Sequence, residues 1–320
     1  MKRHPIGQTG LEVTEICFGT APLGGMPDTY GYNVDEATAL ATIRAIFDGP
    51  VNFMDTSRNY GFGRSEERIG SVIRERGGLP PGFVLSTKLD RDMGTGRFDA
   101  GRARQSLEES LLALGLDRVH ILHLHDPEHS ADLDEITRPG GAFDELIRMK
   151  EEGLATAVGL AMGRLDIMLP MVRDWPLDVL LNHNRFTLLN RSASDLFDLA
   201  SERGVAVLNA APYAGGVLAK GSSAVSRITY QEIDEIRLTP VRQVEAVCKK
   251  HAVAPGAVAI QFSLNDPRIT STVVGVSKPE RVAQTIDWAT AKVPDQAWAE
   301  LGEVGYSVND PEAERIYKPG

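Results

Sequence analysis

Eight short apolar segments, each followed by a stretch with helical spacing, constrain this chain more than any other feature. They are EICFGT from Glu15, VNFMDTS from Val51, FVLSTKL from Phe83, VHILHLHD from Val119, TAVGLAM from Thr156, VLLNHNR from Val179, AVLNAAP from Ala206 and TSTVVGVS from Thr270. Nearly continuous apolar character over so few residues marks parallel strands covered on both faces. Between them, apolar residues recur at helical intervals: Ile69, Val72 and Ile73 in the stretch from Ser65, and Leu107, Leu111 and Leu114 in that from Ala100. The stretch from Pro240 carries Val244 and Val247 and ends on Lys249 and Lys250, as suits a helix C-terminus.

Eight such units predict an α/β fold of the closed (β/α)8 TIM-barrel kind rather than an open doubly wound sheet, and no GxGxxG follows the first strand. Gly7, Gly10 and the β-prone Leu11 to Thr14 predict a hairpin ahead of the barrel. The stretch after the eighth unit, through Trp298 and Tyr306 to Gly320, is expected to pack outside the barrel or over one end. Neither a linker nor a low-complexity tract interrupts the pattern, so residues 1–320 read as a single barrel domain.

Composition narrows the function. A formal net charge of −10 disfavours nucleic acid and anionic membrane surfaces, both of which call for clustered Lys and Arg; a small-molecule substrate is expected instead. No apolar run has the roughly 18 to 20 residues of a membrane span, and MKRHPIGQTGLEV does not read as a signal peptide, so a cytoplasmic location is expected. Cys17 and Cys248 show no ligand spacing and are expected to be buried thiols. The oligomeric state is not legible.

In barrels of this type the active site lies at the C-terminal ends of the strands. Asp55 ends the second segment, Tyr60 follows it, Lys88 ends the third and His125 ends the fourth, so all four fall on the expected rim. A buried ionisable residue needs a partner, which Asp55 and Lys88 on adjacent strands can give each other. A lysine beside a phenol favours the phenolate, suiting Tyr60 to proton transfer, and His125 can orient the same substrate oxygen. Singly, each has a plainer reading, as turn, solvated or packing residue. His123 and His125 share a strand face whereas His120 points the other way; that pair lacks a convincing ligand set, and no metal site is expected.

The stretches FMDTSRNYGFGRSEERIG from Phe53, LSTKL from Leu85, LGLDRVHILHLHDP from Leu114 and VVGVSKPERVAQTI from Val273 resemble the aldo-keto reductase family over nearly the whole chain. The resemblance implies a catalytic tetrad at Asp55, Tyr60, Lys88 and His125. It also implies a nicotinamide cofactor, NADP or NAD, without a Rossmann domain. Cofactor contacts implied in this way are Gly19, Thr20 and Asp55, His183 after the sixth strand, Pro212 and Tyr213 after the seventh, and Gly275, Ser277, Lys278, Arg281, Gln284 and Thr285 after the eighth. Lys278 and Arg281 also fit as ordinary helix residues, though a guanidinium at position 281 suits a 2′-phosphate. Ala161 and Met162 stand where the family commonly has a Ser-Asn pair, and Ala210 where a tyrosine commonly stacks on the nicotinamide. Tyr213 is left as either a substitute for that tyrosine or a pyrophosphate-loop or packing residue.

FGTAPLGG from Phe18, HLHDPEH from His123 and NRFTLLNRS from Asn184 resemble the subgroup containing D-threo-aldose 1-dehydrogenase, L-fucose and L-galactose dehydrogenases and pyridoxal 4-dehydrogenase. That resemblance implies oxidation of an aldose such as L-fucose, L-galactose or D-arabinose at C1 to a lactone, with Tyr60 as base. An NADPH-dependent aldehyde or ketone reductase, a pyridoxal 4-dehydrogenase and a cofactor-binding regulatory subunit are the alternatives.

Overall fold

Asp55, Lys88 and His125 come together because their strands are neighbours in a closed ring. The computed structural model describes residues 1–225, 227–229, 231–232 and 234–313. An antiparallel hairpin comes first, β1 (Arg3–Pro5) paired with β2 (Glu12–Thr14). Seven barrel strands follow: β3 (Ile16–Gly19), β4 (Phe53–Asp55), β5 (Val84–Leu89), β6 (Val119–His125), β7 (Ala155–Met162), β8 (Val179–His183) and β9 (Ala206–Ala210). A two-residue ladder of β10 (Arg227–Ile228) and β11 (Gln231–Glu232) precedes the last barrel strand, β12 (Ile269–Gly275). All eight barrel strands pair in parallel, and β12 closes the ring by pairing with both β9 and β3.

The two faces of each strand meet different cores. Cys17, Phe53, Val84, Ile121, Ala157, Val179, Leu208 and Val273 fill the barrel interior, and Ile6 and Val13 of the hairpin join them. The hairpin therefore plugs one end, leaving the C-terminal ends of the strands as the open mouth. Their neighbours Phe18, Met54, Leu85 and Leu122 face outward into the layer under the helices, with Ile43, Ile69, Val72, Leu107 and Leu146.

The helices begin and end where local chemistry sets them. Asp35, Asp99 and Asp234 accept from the backbone amides of Thr38, Arg102 and Arg237, capping the helices Glu36–Phe47, Ala100–Leu114 and Glu235–Lys250. The last of these starts at Glu235, ahead of Pro240, where the sequence pattern places its start. Pro240 lies inside it, and the amide it lacks would have served the carbonyl of Ile236, a residue 86% exposed. The helix Asp295–Gly302 packs on Glu235–Lys250 outside the barrel, and Trp298 and Val304 join the small core beneath them. From Tyr306 the chain crosses the mouth side, where Ser307 exchanges backbone hydrogen bonds with Leu189 and Arg191. Residues 314–320 of the expected C-terminal stretch lie outside the described residues. Among the described residues, no helix is long and apolar enough to cross a membrane.

Candidate active site

Register delivers the four rim residues to one place. Asp55 pairs with Ser86 between β4 and β5, and Lys88 pairs with His123 between β5 and β6, so Lys88 and the end of β6 reach the mouth at adjacent heights. Tyr60 follows β4 in a tight loop that passes close to the turn at Gly24. A Cβ at Gly61, whose φ is +63°, would run into the backbone of Gly24, so only glycine lets the two segments meet. Arg64 ties the same turn down by donating to the carbonyls of Gly24 and Gly25 at 2.8 and 2.9 Å.

Lys88 is 1% exposed and spends its three protons inside the site. Its Nζ donates to Asp55 Oδ2 at 2.6 Å, to the Thr56 carbonyl at 2.7 Å and to the Tyr60 hydroxyl at 3.0 Å. The expected Asp55–Lys88 pair is therefore present, and the ammonium bears directly on the phenolic oxygen, where it stabilises negative charge. The His125 ring stands edge-on to that of Tyr60, centroids 5.9 Å apart. This set can take a proton from, or give one to, an oxygen in the mouth, and hold that oxygen from a second side.

His125 has partners that the strand-end rule did not single out. Its Nδ1 lies 2.6 Å from Asp90 Oδ1 and 3.2 Å from Ser57 Oγ, and its Nε2 lies 3.7 Å from Asp126 Oδ2. Burial disfavours the imidazolium, but the charges of Asp126 and Asp90 and the hydrogen bond to Asp90 outweigh it, holding the ring above the usual imidazole range. His123, two residues earlier on the same face, is fully buried, with neither ring nitrogen hydrogen-bonded. Burial and then the charge of Lys88 push it well below the usual range, so it is a neutral interior ring. His120 faces the other way, accepting from the Leu85 amide at 3.2 Å. No group of three His, Cys, Asp or Glu side chains suited to a metal occurs among the described residues. Cys17 and Cys248 are both buried free thiols.

The residues expected to hold a cofactor separate into open and engaged ones. Gly19 and Gly275 end adjacent strands in register, and Gly275 is exposed, giving a mouth edge bare of side chains where a ligand backbone can approach. Next to it, the helix Pro279–Thr290 opens with Lys278 as N-cap, and no side chain fills its N-terminal amides. A helix N-terminus open in this way, flanked by Ser277, Lys278 and Arg281, suits a phosphate. Gln284 is bound to the Arg281 guanidinium, and Thr285 Oγ1 donates to the Arg281 carbonyl at 2.7 Å. These residues fit a dinucleotide laid across the ends of β3 and β12.

Three others are already committed. Thr20 is fully buried and donates to the Asp55 carbonyl at 3.0 Å, so it braces Asp55. His183 Nδ1 lies 2.9 Å from Glu312 Oε1, in the segment that crosses the mouth, and Asn184 and Arg185 reach the same carboxylate. Tyr213, following Pro212, stands edge-on to Trp288 at 5.8 Å, and Arg281 and Thr285 act on its buried hydroxyl. The ring thus packs with the loop after β12, the arrangement expected of a pyrophosphate-loop or packing residue. Tyr32, missed in the sequence, reaches the same loop: Ser277 and Arg281 act on its hydroxyl, and Lys220 Nζ sits 5.0 Å above its ring.

Comparison with known proteins agrees with this architecture. The Aldo/keto reductase family matches residues 15–305. Pyridoxal 4-dehydrogenase of Microbacterium luteolum is 27% identical, the match covering 95% of this chain and 97% of that one. L-galactose dehydrogenase of Arabidopsis thaliana is 32% identical over 88% and 86% of the two chains. Among solved structures, a holo-form aldo-keto reductase from Bacillus halodurans superposes with a TM-score of 0.78 at 18% identity, covering 99% of this chain and 100% of that one. Eight parallel strands, the matched span and these relatives together establish that the chain belongs to the aldo/keto reductase family and is an NAD(P)-dependent oxidoreductase.

Proposed function

We propose that the enzyme oxidises the cyclic hemiacetal of an aldose, such as L-fucose, L-galactose or D-arabinose, at C1 to a lactone, with NADP or NAD. The observation that carries this reading is the Tyr60 hydroxyl 3.0 Å from a buried ammonium that is itself neutralised by Asp55. Tyr60 takes the proton of the anomeric hydroxyl, and Lys88 stabilises the phenolate that makes it a base. His125, across from Tyr60, donates to the same oxygen and holds it. When bound, the nicotinamide accepts the hydride that leaves C1. Gly19, Gly275, Ser277, Lys278 and Arg281 hold the cofactor, with Arg281 placed for a 2′-phosphate. The similarity to L-galactose dehydrogenase supports the substrate class.

Initial rates with L-fucose, L-galactose, D-arabinose and pyridoxal, each with NAD and NADP, test the proposal against NADPH-dependent reduction of simple aldehydes. Lactone formation from at least one aldose as the fastest reaction is expected. Reduction faster than every oxidation by orders of magnitude would make the enzyme a reductase. Preference for pyridoxal, in line with the Microbacterium relative, would replace the sugar with that aldehyde.

A further inference from the structure

His125 is backed by a carboxylate that also ties down the loop after β4. Asp90 lies just past the end of β5, is 2% exposed, and has its main chain fixed from two sides. Its amide donates to Ser106 Oγ at 2.8 Å and its carbonyl accepts from Arg102 Nε at 3.0 Å, both on the helix Ala100–Leu114. The carboxylate accepts from His125 Nδ1 at 2.6 Å, from Ser57 Oγ at 2.7 Å and from the Asn59 amide at 2.9 Å. Three donors converging on one buried carboxylate keep it ionised, and its acid is held below the usual carboxylate range: burial opposes this, while His125, Ser57 and Asn59 overcome it.

An ionised carboxylate only accepts, so the nitrogen facing it carries a proton. That fixes the ring: Nδ1–H points back to Asp90, and Nε2 is the nitrogen left for the mouth. At 3.7 Å from Nε2, Asp126 acts there through charge rather than as a hydrogen-bond partner. Asp126 is held in the left-handed region, φ 43°, an uncommon place for a residue other than glycine.

We propose that Asp90, steadied by Ser57, is a positioning residue that holds the His125 ring with Nε2 toward substrate and makes the imidazolium its working form. This rests on the proposed action of His125 at the substrate oxygen. The imidazolium donates from Nε2 to the anomeric oxygen as Tyr60 removes its proton, and so stabilises the charge that develops there. The groups facing the ring from each packed element are Asp90 and Lys88 from β5 and its end, Ser57 and Tyr60 from the loop after β4, and His123 and Asp126 from β6 and its end. His183, His129 and Arg91 act in turn on Asp126. Two carboxylates oppose one ammonium, and the second histidine is neutral, so the balance around the ring favours its cation.

The test uses the full chain labelled with ¹⁵N-histidine, with the His125 signal assigned by its loss in His125→Gln. In the unaltered protein, Nε2 is expected to lose the proton as the ring titrates while Nδ1 keeps it; the reverse order overturns the proposal without any variant. Asp90→Asn keeps an acceptor toward Nδ1 and removes the charge. Its His125 titration is expected to move down by about one to three pH units, and the limb of the kcat/KM profile that reports His125 to move with it. Asp90→Glu is expected to restore much of both shifts. A merely structural Asp90 would lower kcat at every pH and leave the midpoint and the limb in place, which sinks the proposal. Tyr60→Phe and His125→Gln separate the two readings. If both turn over normally, the proposed site is wrong; if both fail while Asp90→Asn titrates like the unaltered protein, only the role of Asp90 is wrong.

Discussion

Lys88 donates to the Tyr60 hydroxyl at 3.0 Å from inside the barrel mouth, with its ammonium 4.6 Å from the centre of the tyrosine ring. The contact joins the end of β5 to a loop that only glycines at 24 and 61 let approach, so one oxygen becomes the chemically distinctive atom of the mouth. Tyr60→Phe removes that oxygen and little else. Turnover is expected to fall about a hundredfold to ten-thousandfold, the range for loss of a general acid or base, with cofactor affinity and unfolding midpoint close to the parent. Steady-state kinetics beside cofactor titration checks this; undiminished kcat would remove Tyr60 from proton transfer.

Lys88→Met asks what the buried pair contributes to the fold. Asp55 is 2% exposed and its Oδ1 has no hydrogen-bond partner, so losing the ammonium strands a carboxylate with little else to hold it. Removing one partner of a buried ion pair costs about 3 to 5 kcal/mol. Urea unfolding of Lys88→Met is expected to show a loss of that size, and Lys88→Met with Asp55→Leu should regain most of it. A double variant no more stable than the single one would mean that packing around Lys88, not the unpaired charge, sets the cost.

The barrel and its four rim residues were legible in the sequence because both rest on short-range signals. Strands buried on both faces leave continuous apolar runs, and an ionisable residue ending such a run stands out against it. Asp90 carried the same signal, two residues beyond Lys88 at a strand end, and applying the rim rule to every polar strand-end residue would have found it. Its link to His125 was less accessible. Ser57 and Asn59 meet Asp90 only through the folded path of the loop after β4, and each alone reads as a turn residue. Glu312 is more remote still, since it meets His183, Asn184 and Arg185 from the far end of the chain, a pairing that no periodicity records. Tyr213 was open between stacking and packing for a similar reason: nearness in sequence to the seventh strand does not record its contact with Trp288 on the helix after β12.

Glu66 gives the fold a pH dependence that can be read without substrate. Burial raises its carboxyl from 4.5 to about 7; the hydrogen bond from Thr87 opposes the rise, the charge of Asp90 adds to it, and Arg58 opposes it. The folded state keeps the proton up to about 7, whereas the unfolded chain releases it near 4.5. Across that window the unfolded state binds fewer protons, so stability is greatest below it, falls as pH rises through it and levels off above about 7, a change of about 3 kcal/mol. Glu66→Gln, neutral at every pH, is expected to flatten this slope. Chemical denaturation at about pH 5 and about pH 8 measures it, and an equal slope in both proteins would assign the dependence to other groups.

On the proposed reading, Arg281 is the residue expected to separate the two cofactors. Arg281 lies in the first turn of the helix Pro279–Thr290 and its guanidinium is held by Gln284, so it is already positioned when a ligand arrives. A 2′-phosphate meeting it gains a charge-assisted hydrogen bond of about 1.5 to 3 kcal/mol, which NAD, lacking that phosphate, does not. Arg281→Ala is therefore expected to weaken NADP binding roughly tenfold to a hundredfold, measured by quenching of protein fluorescence, while the affinity for NAD changes little. An equal loss for both would place Arg281 on a part common to them, the adenine ring or the pyrophosphate. Loss for neither would leave it an ordinary helix residue and shift the 2′-phosphate to Lys278.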